Sequence, residues 1–275
     1  MTELGLSRYL QRIGYQGALT ADLPTLSGLV ARHTQSIPFE NLNAFMSLPV
    51  ELSADSVMDK LVVEGRGGYC YEQNALFRDV LMSLGFEVTS LAARVRWGVP
   101  PEVQTPASHM LLILTLSDVK YLVDVGFGVT TPSAPLRLDS RDVQVTAHGN
   151  YKITEEQGYY ELAFEQSSGW QTLYQFNLEP KQDADYKVFN WYVSTHPDSV
   201  FVRNLVAARI AGQYRYTLRN REFKRYQGGE LLDATTLTTP EQVIACLRKH
   251  FNINAPVALY GVLAAMFDDS LAKAG

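Results

Sequence analysis

The sequence predicts an α+β protein. Helical hydrophobic spacing up to about residue 86 gives way to β-branched and apolar runs, and a mixed region begins near residue 185. The stretch from Leu4 through Tyr9, Leu10 and Ile13 opens with a helical apolar period. A second helix is expected from about Pro24 to Thr34, with Leu26, Leu29 and Val30 on one face. Ser53-Ala54-Asp55 offers an N-cap for a third helix running through Val63. The fourth spans about Cys70 to Leu84, with Leu76, Phe77, Val80, Leu81 and Leu84 as its buried stripe and Gly85 as its stop.

From Phe86 the texture becomes that of strands. Val88–Val95, His109–Leu116 and Lys120–Val125 are apolar runs broken by turn residues, and Tyr151–Ile153, Tyr159–Phe164 and Trp170–Phe176 continue the pattern. Together they predict a compact antiparallel sheet or barrel. The third region is expected to hold a helix at Tyr186–Ser194 and strands at Ala207–Leu218 and Glu222–Gln227. A capped helix at Thr239–His250 follows, with Pro240 at its first position. No repeat, low-complexity tract or flexible linker separates these regions.

The 275 residues are 46% hydrophobic and 19% charged, which suits a sizeable buried core. A net charge of −5 gives no electrostatic reason to expect a nucleic-acid or anionic-membrane partner. No apolar run approaches the roughly 20 residues that cross a bilayer. The first residues lack the basic-then-apolar pattern of a signal peptide, so the expected location is the cytoplasm. Cys70 and Cys246 are the two cysteines. A reducing compartment argues against their pairing, and Cys246 reads as a small core residue of an apolar helix. Cysteines and histidines show no metal-ligand spacing, so no metal is expected.

The segment Arg66-Gly67-Gly68-Tyr69-Cys70-Tyr71-Glu72-Gln73-Asn74 carries the strongest chemical signal. Two glycines allow a sharp turn and a close approach, and the cysteine then falls on the first turn of a helix, where unpaired N–H groups favour an anionic sulfur. Taken alone, Cys70 is equally a buried helix-start residue. A thiolate nucleophile needs a base and an orienting group. His109 and Asp124 are the candidates, on consecutive strands joined around Ser117-Asp118-Val119. A two-residue turn at Ser117-Asp118 would pair Leu116 with Val119 and hence Leu111 with Asp124. His109 would then share a face with Asp124, one diagonal step away, whereas an odd-length loop would separate them. Individually, His109 could cap a strand end and Asp124 could serve a turn before Gly126 and Gly128. The remaining histidines read as structural: His33 as a polar contact in the helical region, His148 as a surface loop residue, His196 in a turn and His250 at a helix end.

At these residues the sequence resembles the arylamine N-acetyltransferases. Arg66 to Glu72 is similar to that family's active-site motif, and the 39 positions from Cys70 to His109 and 15 on to Asp124 match its Cys–His–Asp triad. Pro38-Phe39-Glu40-Asn41-Leu42, Leu122 to Gly128, and Asn190 with Ser194 to Phe201 resemble further family segments, so the likeness spans nearly the whole chain. The resemblance implies a helical bundle over 1–86 carrying the nucleophile, an antiparallel β-barrel over 87–184 carrying the histidine and aspartate, and an α/β lid over 185–275. It also implies a papain/transglutaminase-like triad of Cys70, His109 and Asp124, and acetyl-CoA as co-substrate with no bound cofactor. The implied acceptors are small aromatic amines and hydrazines, with O-acetylation of N-hydroxyarylamines in some bacterial members. Val95, Phe127 and Phe201 would line the acceptor pocket, Thr105, Gly126 and Gly128 would meet CoA or the thioester, and Arg66 and Glu40 would pair near the triad. Pro106 stands where relatives often have glycine and has no N–H to offer CoA.

Three other readings compete. A cysteine hydrolase or transglutaminase-like enzyme could use the same three side chains. A relative could use another acyl donor, as amide synthases do. A binding module could retain the fold without activity. The sequence does not set the oligomeric state.

Overall fold

Side-chain caps start the first two helices. Thr2 accepts from Gly5 N–H ahead of α1 (Glu3–Ile13), and Asp22 accepts from Thr25 N–H ahead of α2 (Leu23–Ser36). The two-residue strand β1 (Phe39–Glu40) and short α3 (Leu42–Phe45) follow. Ser53 caps α4 (Ala54–Met58), which continues as a π-helical turn over Asp59–Val63 and not as the regular helix expected there. The next helix, α5 (Cys70–Ser83), begins at the cysteine itself. These positions come from a computed structural model describing residues 1–100 and 102–268.

Eight strands then form one antiparallel sheet: β2 (Val88–Val95), β3 (Ala107–Leu116), β4 (Val119–Val123), β5 (Leu136–Arg137), β6 (Gln144–Thr146), β7 (Gly149–Glu156), β8 (Tyr159–Gln166) and β9 (Gly169–Phe176). Their order is β5-β4-β3-β2-β9-β8-β7-β6. The end strands β5 and β6 share no ladder, but the Gln144 side chain accepts from Arg137 N–H at 2.7 Å and donates to Arg137 C=O at 2.9 Å. The sheet is therefore barrel-like and nearly closed, with a side-chain amide bridging the seam. The interior holds Leu91, Leu111, Leu122, Tyr151, Leu162 and Tyr174, all fully buried. Met110, Leu112, Leu114 and Val123 point to the opposite face and pack with Leu76, Phe77 and Val80 of α5. That alternation makes the helical region and the barrel share one core.

The third region contains α6 (Asp183–Thr195), α7 (Val200–Arg203), β10 (Val206–Ala211), β11 (Tyr214–Arg219), β12 (Glu222–Gln227), β13 (Glu230–Thr236), α8 (Pro240–Phe251) and α9 (Leu259–Phe267). The single strand expected over Ala207–Leu218 is two, because Gly212, with φ +60°, reverses the chain between β10 and β11. β13 is an exposed edge strand, so its sequence shows no inside–outside alternation. α9 is apolar all round and offers no polar face to reveal its period. The sheet order is β1-β10-β11-β12-β13, with Phe39 opposite Ala208. Its first strand thus comes from beside the Gly67-Gly68 turn, through the Phe39–Gly68 bridge. Among the described residues no helix is long and apolar enough to cross a membrane.

Candidate active site

The hairpin between β3 and β4 sets the geometry. Ser117 and Asp118 have φ of +47° and +65°, the signature of a two-residue primed turn. Leu116 pairs with Val119 and Leu112 with Val123, which puts Leu111 opposite Asp124. His109 Nε2 lies 2.7 Å from Asp124 Oδ2, both groups almost fully buried. The Cys70 side chain lies near enough to the same imidazole to help raise its pKa. A β-bulge between β2 and β3 leaves Ser108 unmatched, and its carbonyl faces the Cys70 thiol at 3.9 Å.

Electrostatics follow from this packing. Burial alone would lower the His109 pKa, but the Asp124 charge and hydrogen bond, with a smaller contribution from Cys70, outweigh it and raise it to about 10. Burial likewise pushes Asp124 up, and His109 together with the Gly126 N–H and Asn74 amide more than reverse this, so its carboxyl sits below the usual range. Tyr174 O–H donates to the same Oδ2 at 3.0 Å. The imidazole is held between Tyr174 and Phe127, with ring centroids 5.0 and 5.1 Å away.

Asn74 lies one helical turn beyond Cys70 and joins the two halves of the site. Its Nδ2 donates to Met110 C=O at 2.8 Å and to Asp124 Oδ1 at 3.1 Å, while its Oδ1 accepts from Val125 N–H at 3.1 Å. The neighbouring Gln73 donates to the carbonyls of Pro38 and Gly68, and its Oε1 meets His33 Nε2 at 2.7 Å. Tyr9 O–H lies 2.9 Å from His33 Nδ1. Since Gln73 presents its oxygen, the His33 proton sits on Nε2 and Nδ1 accepts from Tyr9. Burial lowers the His33 pKa to about 4, which the Gln73 bond only partly opposes, so this ring is neutral.

Two buried ion pairs flank the glycine turn. Glu40, fully buried, accepts from Arg66 at 2.7 and 3.1 Å and from Leu42 N–H at 2.7 Å. Glu72 accepts from Lys60 at 2.6 Å and from Tyr69 N–H at 3.1 Å. The π-helical turn carries Lys60, and the regular period expected there hid this pair. At Gly67 an added Cβ would lie 2.1 Å from Pro38 C=O, and at Gly126 one would lie 2.8 Å from the Cys70 Cα. Both positions are occupied by backbone that cannot give way.

The remaining residues singled out from sequence are distributed around this centre. Val95 pairs across the ladder with Tyr174. Phe201 packs between Phe39 and Tyr69, each at 5.7 Å. Gly126 N–H donates to Asp124, and Gly128, with φ +88°, donates to Thr131 Oγ1. The Thr105 carbonyl accepts from Arg94 at 2.5 Å, while its buried hydroxyl has no partner. His148 is not a surface loop residue: it is 7% exposed, held where the turn before β7 meets Gly212 of the third region. Tyr174, Ser108 and Gln73 were not singled out from sequence. Asn74 alone had a local signal, its one-turn spacing from Cys70. Among the described residues no group of three His, Cys, Asp or Glu side chains could hold a metal.

The N-acetyltransferase family model matches residues 22–259. The chain is 40% identical to an arylamine N-acetyltransferase of Mycobacterium tuberculosis, over 98% of this chain and 97% of that protein. It is 31% identical to a Salmonella typhimurium protein named arylamine N-acetyltransferase / N-hydroxyarylamine O-acetyltransferase, over 94% and 92%. A solved structure of Mycobacterium marinum arylamine N-acetyltransferase in complex with CoA superimposes with a TM-score of 0.90 at 41% identity, covering 96% of this chain and 98% of that one.

Proposed function

Because the chain belongs to the arylamine N-acetyltransferase family of acyltransferases, we propose that it moves acetyl from acetyl-CoA to arylamines and hydrazines through a thioester on Cys70. The observation that carries the reading is the single buried imidazole of His109 shared between the Cys70 sulfur and the Asp124 carboxylate. A ring raised to about 10 is an imidazolium at neutral pH, a charge that would stabilise a sulfur anion forming beside it. The sulfur attacks the acetyl carbonyl carbon of acetyl-CoA and the carbon–sulfur bond to CoA breaks. His109 gives its proton to the departing CoA sulfur and becomes neutral. The amine then attacks the Cys70 thioester, His109 takes the proton the amine sheds, and the Cys70 thiolate leaves to restore the ion pair. Asp124 fixes tautomer and orientation throughout and, on this scheme, stays ionised.

The aromatic faces of Phe127 and Phe201 and the methyls of Val95 suit a flat acceptor, and Thr105, Gly126 and Gly128 are the residues assigned to CoA. The M. marinum complex with CoA supports the donor, and the name of the S. typhimurium relative supports O-acetylation of N-hydroxyarylamines as a second outlet for the same thioester. Arg66–Glu40 holds the backbone from which Cys70 starts. Intact-mass measurement after mixing with acetyl-CoA tests the scheme. One added acetyl is expected on Cys70, stable in buffer and discharged by an arylamine. Rapid loss to water without amine would make the enzyme a hydrolase, and no adduct would remove covalent catalysis.

A further inference from the structure

We propose that the mouth of the barrel, where it meets the third region's sheet, is a second binding site, for a tetrahedral oxyanion that still carries a hydroxyl: inorganic phosphate or the end of a phosphate monoester. This goes beyond acetyl transfer and does not rest on it. The site is a cavity of about 60 Å³ bordered by Trp97, Val129, Thr130, His148, Phe164 and Arg215. Cys70, His109 and Asp124 do not line it. At roughly 10–15 Å³ per water it admits a group of four to six heavy atoms.

Three lining side chains are each more than nine-tenths buried: Thr130, His148 and Arg215. Among the described residues Arg215 has no carboxylate partner. Its Nη atoms donate to the carbonyls of Val129 at 2.6 Å and His148 at 3.0 Å, and more distantly to Thr131 C=O and Tyr151 Oη. The cation is thus built in without an anion, and no Asp or Glu among the described residues lines the cavity. His148 Nε2 lies 2.8 Å from Gly212 C=O, which can only accept, so the ring proton is there and Nδ1 presents a lone pair. That Nδ1 and the Thr130 hydroxyl are both buried without a hydrogen-bond partner. Unpaired buried polar atoms are rare, because they lose water and gain nothing. Burial first, and Arg215 beyond that, lower the His148 pKa, which keeps Nδ1 an acceptor.

The occupant must therefore bring negative charge to offset the guanidinium, an acceptor oxygen for Thr130 and one proton for His148. A phosphate with its P–OH meets these demands, whereas sulfate at neutral pH has no proton to give. The same guanidinium holds the carbonyls of Val129 and Thr131, just beyond Phe127, so an occupant would also brace the loop beside the catalytic centre.

Calorimetric titration of the full chain with inorganic phosphate and with sulfate at pH 7 tests this. Phosphate is expected to bind, sulfate roughly tenfold or more weaker. Thr130→Val removes the orphan hydroxyl without changing shape and should weaken phosphate roughly tenfold while the thermal midpoint holds. His148→Phe removes the Nδ1 acceptor and should weaken phosphate as much, its lost bond to Gly212 being read separately by the thermal midpoint. Displacement of phosphate by CoA but not by 3′-dephospho-CoA would support the site and assign its occupant to the co-substrate. Displacement by neither, with phosphate still bound, would support it with free phosphate as occupant. No phosphate binding, or equal binding of both ions unaffected by the two variants, overturns the proposal.

Discussion

Acid should weaken this fold through His33 well before it titrates the carboxylates. The buried ring is neutral, its pKa lowered to about 4 against 6.5 when free, because protonation would place a charge among Tyr9, Phe77 and Gln73. The unfolded chain therefore binds a proton that the folded chain refuses. Stability is complete above pH 6.5, falls as pH drops from there toward 4, and is flat below. Between pH 7 and pH 5 the two values predict a loss of about 2 kcal/mol from this ring alone, near 1.4 kcal/mol per pH unit at the steepest point. His109 moves the other way: its raised pKa gives stability present below 6.5 and lost as pH rises toward 10, so near neutral pH it opposes the His33 slope, equally in parent and His33 variant. His148 and His250 are also lowered and add to the acid slope. His33→Gln isolates the term, since its amide can still accept from Tyr9 and donate to Gln73. Urea unfolding from pH 5 to 7 should show the variant losing about 2 kcal/mol less than the parent across that range. Parallel pH profiles would refute the account of a neutral, buried His33.

Other substitutions follow from the same geometry. Asp124→Asn should fold yet lower acetyl transfer by orders of magnitude, because an amide can stabilise the wrong imidazole tautomer; steady-state turnover checks this. Gly126→Ala places a Cβ 2.8 Å from the Cys70 Cα and the Asn74 amide and should lower stability by on the order of 2 kcal/mol, read by thermal unfolding. Tyr71→Phe removes a buried hydroxyl that has no partner and should leave stability unchanged or raise it by roughly 1 kcal/mol in urea melts. Asn74→Asp sets a second carboxylate about 3.1 Å from Asp124 Oδ1, so the folded pair takes up a proton. Its stability should fall as pH rises from 5 to 7, opposite to the parent, and a parent-like slope would contradict the contact.

The part of the site legible in sequence is the part whose geometry is local. Once Ser117-Asp118 is read as a two-residue turn, strand periodicity carries His109 to Asp124 without any knowledge of the rest of the chain, and the register shows that pairing. The glycine pair before Cys70 announces a close approach, which is that of Pro38 C=O on Gly67. The helices and most strands were equally readable, since one face of each is buried. Where burial is absent or all round, as in β13 and α9, pattern carries no phase and the elements were missed.

What holds those side chains in place depends on contacts that sequence spacing cannot express. Tyr174 reaches Asp124 from fifty positions away, and His33 reaches Gln73 from forty. Neither tyrosine nor glutamine is unusual in a strand or a helix, so residue type alone raises no flag. Their significance appears only when every buried donor and acceptor is asked for its partner. Answered at Asn74, the question explains how α5 is bolted to β3 and to the segment after β4: three hydrogen bonds from one amide set the distance between the helix bearing the sulfur and the strands bearing the imidazole and carboxylate. At His148 Nδ1 and Thr130 Oγ1 the same question finds no partner, and there, beside an Arg215 without a carboxylate partner among the described residues, the unpaired atoms motivate the phosphate titration, whereas the lone Tyr71 hydroxyl motivates only its removal.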